Sequence, residues 1–158
     1  MDYILGVEVV LDSNGRKNRG GDQMERLIKR HLEETGVKFY FEMYSKDIEK
    51  KWSYDLSSFS NKRWDFVAKT ADKVFVIETN FYTGNGSKLN ETARSYRKIA
   101  EDSSQIENFT FVWITDGEGW HKASKNLKET FLILPTLYNI NDVEDGIFYK
   151  LFKIEKNK

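Results

Sequence analysis

The alternation of apolar and polar positions divides the chain into short buried strands and two amphipathic helices. Val74, Phe75, Val76 and Ile77 form an unbroken β-branched and aromatic run, the composition of a strand covered on both faces. Residues 64–70 read as a second strand, and Ala71 and Asp72 leave a break short enough for a two-residue hairpin. Residues 22–35 place Met24, Leu27, Ile28 and Leu32 at helical spacing, with Gly36 as the stop. A strand over 37–44, interrupted by Glu42, follows, and then a long, partly helical connection over 45–62 that carries Trp52, Tyr54, Leu56 and Phe59. Beyond the hairpin, residues 90–106 predict a helix with Thr92, Ala93, Tyr96, Ile99 and Ala100 inward and Arg94, Arg97 and Lys98 mainly outward. Residues 109–115 predict another buried strand, and 116–121 turn into a helix reaching about residue 130. The ends are less regular: residues 3–11 suit a strand or buried lead-in, and 147–154 suit a strand before a charged tail. A strand, helix, strand succession after a hairpin implies a right-handed crossover that sets 109–115 parallel to 74–78. The expected fold class is α/β, a mixed central sheet flanked by helices, in one domain over residues 1–158.

Composition narrows the setting. The chain has no cysteine, which excludes a disulfide framework and a thiolate zinc site and suits a reducing, cytoplasmic home. No apolar run approaches the roughly 18 residues of a membrane span, so no membrane partner is expected. Lys plus Arg and Asp plus Glu both number 25. A net charge of zero is unlike a protein that coats nucleic acid, so any nucleic-acid site must be a local patch.

The chemistry is concentrated where the central run ends. Glu78 continues the register of the buried strand, and an acid there needs a partner or a cation. Glu78 and Asn80 share one side of the strand, while the Thr79 side chain points to the other. If Ala71 and Asp72 are the turn, pairing Thr70 with Lys73 sets Asp65 opposite Glu78, with Cβ atoms about 5 Å apart. Two carboxylates that close repel unless a cation lies between them, and hard oxygen ligands favour magnesium over zinc. A slip of one residue would turn Asp65 to the other face, and the alternative is two solvated acids at strand ends, each paired with a Lys or Arg.

Other segments offer contacts. The polar stretch 12–21 reads as a loop with Arg16, Lys17 and Arg19 among three glycines, suited to a phosphate backbone or to plain solvent. Asp22 and Glu25 resemble a capping box at the following helix, although Glu25 also borders the apolar stripe and could face a site. His31 fits an ordinary packed imidazole. Residues 81–89 read as a polar turn able to reach phosphates or base edges. Lys46, Lys50, Lys51, Lys62 and Arg63 lie among the aromatics of the long connection, where nucleic acid could stack. Asp116, Glu118 and His121 read as strand-end and helix-start residues without chemistry.

This order of elements, with an acid on the second strand and Glu-x-polar on the third, resembles the PD-(D/E)-x-K nuclease core. The segments GVEVVLDSNGRKNRGG, WDFV, VIETNFYTGNGSKLNETARSY and WITDGEGW are similar, over about residues 6–120, to the catalytic part of the DpnII type of restriction endonuclease. The resemblance implies a magnesium-dependent, double-strand DNA endonuclease cutting at GATC as a homodimer. It puts Asp65 and Glu78 at the metal-binding carboxylates, Asn80 at the usual lysine and Trp64 at the frequent proline. On that footing Asp65, Glu78 and the Thr79 carbonyl would hold the metal. Asn80 would orient the attacking water, Lys88 would supply the missing charge ahead of Lys69, and Glu25 would hold a further water. Asn14, Arg16, Lys17, Asn18, Arg19, Tyr82 and Asn85 are the expected DNA contacts. The resemblance also implies further sequence ahead of this segment in family members. The competing expectations are a non-catalytic DNA-binding remnant and a structure-specific nuclease built on the same core.

Overall fold

A computed structural model describes residues 16–84, 87–121 and 123–156, with side chains from Asp22 onward. The elements run α1 (Arg16–Thr35), β1 (Lys38–Tyr44), α2 (Ser45–Trp52), β2 (Arg63–Lys69), β3 (Val74–Phe81), α3 (Ser87–Ser103), β4 (Phe109–Asp116), α4 (Ser124–Ile133), β5 (Leu137–Tyr138), α5 (Ile140–Glu144) and α6 (Ile147–Phe152). Short 3₁₀ turns at Ser57–Phe59 and Glu118–His121 join α2 to β2 and β4 to α4. The five strands form one sheet in the order β1-β2-β3-β4-β5, antiparallel through β3 and parallel from β3 to β5. The crossover through α3 therefore makes β3 and β4 parallel neighbours, as the element order requires.

Each face of the sheet has its own core. Val74, Val76, Phe111 and Trp113 face α3 through Leu89, Ala93 and Tyr96. Phe75, Ile77, Val112 and Ile114 face α1 through Met24, Ile28 and Leu32, and Phe148 and Phe152 of α6 complete that layer. Apolar side chains on both faces explain why β3 and β4 read as continuous apolar runs without alternation.

Three expectations are corrected. The helix expected over 22–35 begins at Arg16, so Gly20 and Gly21 are helical and Asp22 is an interior residue, which removes the capping box with Glu25. Two glycines cost the helix about 1 kcal/mol each relative to alanine, and burial of the Met24, Ile28 and Leu32 stripe outweighs that. Residues 147–154 form α6 instead of a strand. Phe148 and Phe152, one helical turn apart, stack with ring centroids 5.7 Å apart, and Phe152 meets Phe75 edge-on. The turn expected over 81–89 is shorter, because β3 runs to Phe81 and α3 starts at Ser87. Residues 3–11, Asn14, Asn85 and the side chains of Arg16, Lys17, Asn18 and Arg19 lie outside what the structure describes.

The hairpin has the register that the Ala71-Asp72 turn predicts. Lys69 pairs with Val74, Ala68 with Phe75, Val67 with Val76 and Phe66 with Ile77, and the Thr70 amide donates to the Lys73 carbonyl at 3.0 Å. The regular ladder stops at Phe66 and Ile77, one step before Asp65 and Glu78. A second irregularity adjoins it on β1. Glu42 has a φ of 55°, and the pairing passes from Phe41–Phe66 to Met43–Trp64 with Glu42 and Asp65 between. Residues two apart on a strand should share a face. Here Phe66, in ring contact with Phe41, packs in the α1-side core, whereas Met43 and Trp64 pack in the α3-side core. Both strands thus change face at Glu42 and Asp65, and the acid stands at that crossing.

Candidate active site

The interrupted ladder leaves backbone amides that must find acceptors, and the two acids supply them reciprocally. The Asp65 amide donates to Glu78 Oε2 at 2.9 Å, and the Thr79 amide donates to Asp65 Oδ2 at 2.9 Å. The Thr79 hydroxyl adds a longer contact to the same Asp65 oxygen at 3.3 Å. Asp65 and Glu78 therefore stand together at the splayed end of the β2–β3 pair. Glu78 is buried and Asp65 partly so.

Glu78 is also held from two other elements. Tyr96 of α3 donates its phenol to Oε1 at 2.9 Å, and Lys62, the residue before β2, brings Nζ to the same oxygen at 3.1 Å. The Lys62 ammonium lies over the rings of Trp64 at 5.1 Å and Tyr96 at 5.9 Å. Its backbone is fixed as well, since the Lys62 carbonyl accepts from the Ser45 amide at 2.8 Å and the Ser45 hydroxyl at 3.2 Å. Ser45 Oγ in turn accepts from the Trp64 indole at 3.0 Å. Asn80, two positions beyond Glu78 on the same side of β3, accepts from the Trp113 indole and is hydrogen-bonded to the Tyr96 hydroxyl. Trp113, Asn80, Tyr96, Glu78 and Lys62 form one continuous polar chain across the α3 face.

Burial pushes the Asp65 carboxyl up to about 6, and the neighbouring Glu78 charge pushes the same way, against the bonds from Thr79. Burial raises the Tyr96 phenol too, with Glu78 adding to it, so that Tyr96 stays a donor. Glu25, half-buried in the middle of α1, is raised by burial and then by the charges of Asp22, Glu42 and Glu78, with Arg63 opposing. Asp65 feels Glu25 in turn, so α1 contributes a third acid to the field of the pair. A groove of about 370 Å³ opens beside Glu25, lined also by Asp22, Arg26, Lys29 and Phe41. A larger apolar groove of about 570 Å³, lined by Leu127, Phe131, Leu132, Leu137 and Tyr138, lies at the β5 edge of the sheet, away from these acids.

A carboxyl that holds its proton more tightly folded than unfolded makes the folded state relatively more stable at low pH. That advantage is complete below the unfolded value near 3.8 and is lost as pH rises through about 6. Asp65→Asn removes the titration. Without divalent cations the variant should therefore gain on the wild type between pH 4 and pH 7, by at most about 3 kcal/mol. Urea unfolding with a chelator at both pH values checks this, and a constant difference would mean that Asp65 titrates normally.

The donor set suits a hard divalent cation. Two carboxylates at one splayed strand end carry more negative charge than the Lys62 ammonium neutralises, and Asp65 Oδ1 accepts no hydrogen bond among the described residues. Magnesium is commonly held by one or two carboxylates, with water and phosphate oxygens completing its shell. Among the described residues no group of three or more His, Cys, Asp or Glu side chains is arranged as a metal site, so Asp65 and Glu78 would leave most of the shell to water and substrate.

The remaining expected site residues lie further out. Lys88 is exposed in the first turn of α3, and Lys69 folds back onto the carbonyls of Thr70 and Ala71 at the hairpin turn. Tyr82 packs edge-on against Trp120 and pairs its backbone with Asp116 and Gly119. His31 bridges Glu34 and Glu144, each at 3.3 Å, tying α1 to α5. Asp116 accepts from the amides of Gly117 and Ile140, ending β4 and starting α5. Sequence reasoning missed Lys62 at the acids, because a residue in a connection belongs to no periodic pattern. Tyr96 was legible only as an inward helix position.

A mixed sheet with helices on both faces, and an acid pair where the antiparallel hairpin meets the parallel crossover, defines a restriction-endonuclease-like α/β protein. The family model of the DpnII restriction endonuclease matches residues 1–150, and the chain belongs to that family. It is 52% identical to the type II restriction enzyme DpnII of Streptococcus pneumoniae, over 96% of this chain and 56% of that protein. It is 42% identical to the type II restriction enzyme MboI of Moraxella bovis, over 89% of this chain and 49% of that protein. To MjaIII of Methanocaldococcus jannaschii it is 38% identical, over 96% and 55%. The chain spans about half the length of the curated relatives it matches. Among the described residues no helix is long and apolar enough to cross a membrane.

Proposed function

We propose that this chain is the catalytic part of a site-specific double-strand DNA endonuclease that cleaves at GATC with magnesium, as a cytoplasmic homodimer. The observation that carries the reading is the Asp65–Glu78 pair, held by reciprocal amide bonds of 2.9 Å each in a chain of the DpnII restriction endonuclease family. Asp65, Glu78 and the Thr79 carbonyl would hold the cation, which when bound polarises the scissile phosphate and lowers the pKa of an attacking water. The protein's own part is orientation. The Thr79 amide and hydroxyl fix Asp65, the Asp65 amide and Tyr96 fix Glu78, Asn80 braces Tyr96, and Asn80 would orient the attacking water. Glu25 would hold a water beyond the two acids. Lys88 would meet a phosphate, and Asn14, Arg16, Lys17, Asn18, Arg19, Tyr82 and Asn85 would contact the duplex.

Digestion of unmethylated, adenine-methylated and scrambled duplexes, with magnesium or with chelator and read at nucleotide resolution, tests the reading. Cleavage at GATC only with magnesium is expected, and the methylated arm reads whether methylation blocks it. Binding without cleavage would indicate a DNA-binding remnant, and cleavage indifferent to GATC would indicate a structure-specific nuclease.

A further inference from the structure

The polar chain around Glu78 holds one group that a carboxylate site for a divalent cation does not call for. Lys62 Nζ lies 3.1 Å from Glu78 Oε1, the oxygen that also takes the Tyr96 phenol, and its side chain is 26% exposed against 7% for Glu78. Two cations cannot share one carboxylate oxygen cheaply, since like charges that close in a half-buried site repel strongly. The lysine can yield by turning its rotatable stem toward solvent, since the side chain is partly exposed and the ring faces under the ammonium of Lys62 hold it only by charge, while its backbone stays pinned through Ser45. Position 80, two beyond the acid, carries an amide engaged with Trp113 and Tyr96, so it brings no positive charge. Lys88 is exposed on α3.

We propose that Lys62 is a mobile counter-ion. It neutralises Glu78 while no divalent cation is present, yields that oxygen when one binds, and then presents its ammonium to the phosphate as the catalytic cation. This rests on the nuclease reading of the Asp65–Glu78 pair. Lys62 acts by charge alone and exchanges no proton. Water oxygen bonds to phosphorus as the bond to the leaving oxygen breaks; the water gives up a proton to solvent, the leaving oxygen takes one from solvent, and the ammonium neutralises the negative charge that builds on the phosphoryl oxygens.

The test compares Lys62→Met, which keeps most of the stem over Trp64 and Tyr96, and Lys62→Arg with the wild type. Magnesium affinity is read by calorimetry and single-turnover cleavage by quench. Lys62→Met should bind magnesium about tenfold more tightly, having lost the competing charge, and cleave about a hundredfold more slowly at saturating magnesium. Lys62→Arg, which keeps the charge, should show wild-type affinity and recover part of the rate. A merely structural lysine would weaken both properties in Lys62→Met, and that result overturns the proposal, as does unchanged or weaker magnesium binding. So does full cleavage by Lys62→Met beside a loss in Lys88→Ala. Failure of the wild type to bind magnesium at all would overturn the site reading itself, and is distinguished by a wild-type isotherm that is already flat.

Discussion

Asp65→Asn is expected to lower magnesium-dependent cleavage by about a thousandfold or more, the scale of several kcal/mol of charge stabilisation at a reacting phosphate, with the fold retained. The variant keeps an oxygen for the Thr79 amide, so the splayed strand end stays capped, but it loses the charge that the cation needs. Glu78→Gln should inactivate to a similar extent by a less gentle route. It leaves Lys62, three-quarters buried, beside a neutral amide, and an ammonium in that position without its acid is costly. With a chelator present, Glu78→Gln should therefore unfold at lower denaturant than the wild type, whereas Asp65→Asn should gain on the wild type as pH rises from 4 to 7. Parallel cleavage and urea titrations separate the two. Full activity in either variant would remove the pair from the chemistry.

Gly117→Ala is expected to be among the most damaging single-methyl changes in the chain, costing about 3 kcal/mol or more. Gly117 has a φ of 116°, and a Cβ placed on it would sit 2.0 Å from the Tyr82 carbonyl oxygen. The backbone at Tyr82 cannot step aside, because its amide donates to the Asp116 carbonyl at 2.9 Å and its carbonyl accepts from the Gly119 amide at 3.0 Å. These bonds join the segment leaving β3 to the segment leaving β4, two residues past Asn80. The expected loss in melting temperature is roughly 9 °C, with cleavage reduced further than stability alone explains. Gly84→Ala is the contrast, since among the described residues nothing lies within 4 Å of a Cβ there and its φ is not in the left-handed region. Calorimetric scans of the two variants, with wild-type melting for Gly117→Ala as the contrary result, settle the matter.

The sequence carried the hairpin because its turn could be counted. Ala71 and Asp72 fix Thr70 against Lys73, and counting back carries the register as far as Phe66 and Ile77, one step short of Asp65 and Glu78. It also carried the crossover, since the inward positions of α3 and the apolar runs of β3 and β4 admit few other arrangements. The change of face at Glu42 and Asp65 was not legible, because a left-handed glutamate has no signature in a strand pattern and no glycine marks it. Nor was the strand β5, two residues long after Pro135. The start of α1 was hidden by Gly20 and Gly21, which argue locally for a loop until tertiary burial overrules them. At the acids, register brings Asp65 and Glu78 to adjoining strand ends, but they meet through each other's backbone amides where the ladder has stopped, and the Lys62 and Tyr96 contacts depend on how a connection and a helix fold over the sheet. Long-range contacts of that kind leave no trace in spacing.

Whether Asp65 and Glu78 act together on one divalent cation is decided most directly by equilibrium dialysis of the purified chain against manganese as a magnesium stand-in, read by electron paramagnetic resonance, beside Asp65→Asn and Glu78→Gln. Saturable binding in the wild type that magnesium displaces, and that both substitutions abolish, is the expected result. Equal binding by all three proteins would contradict it.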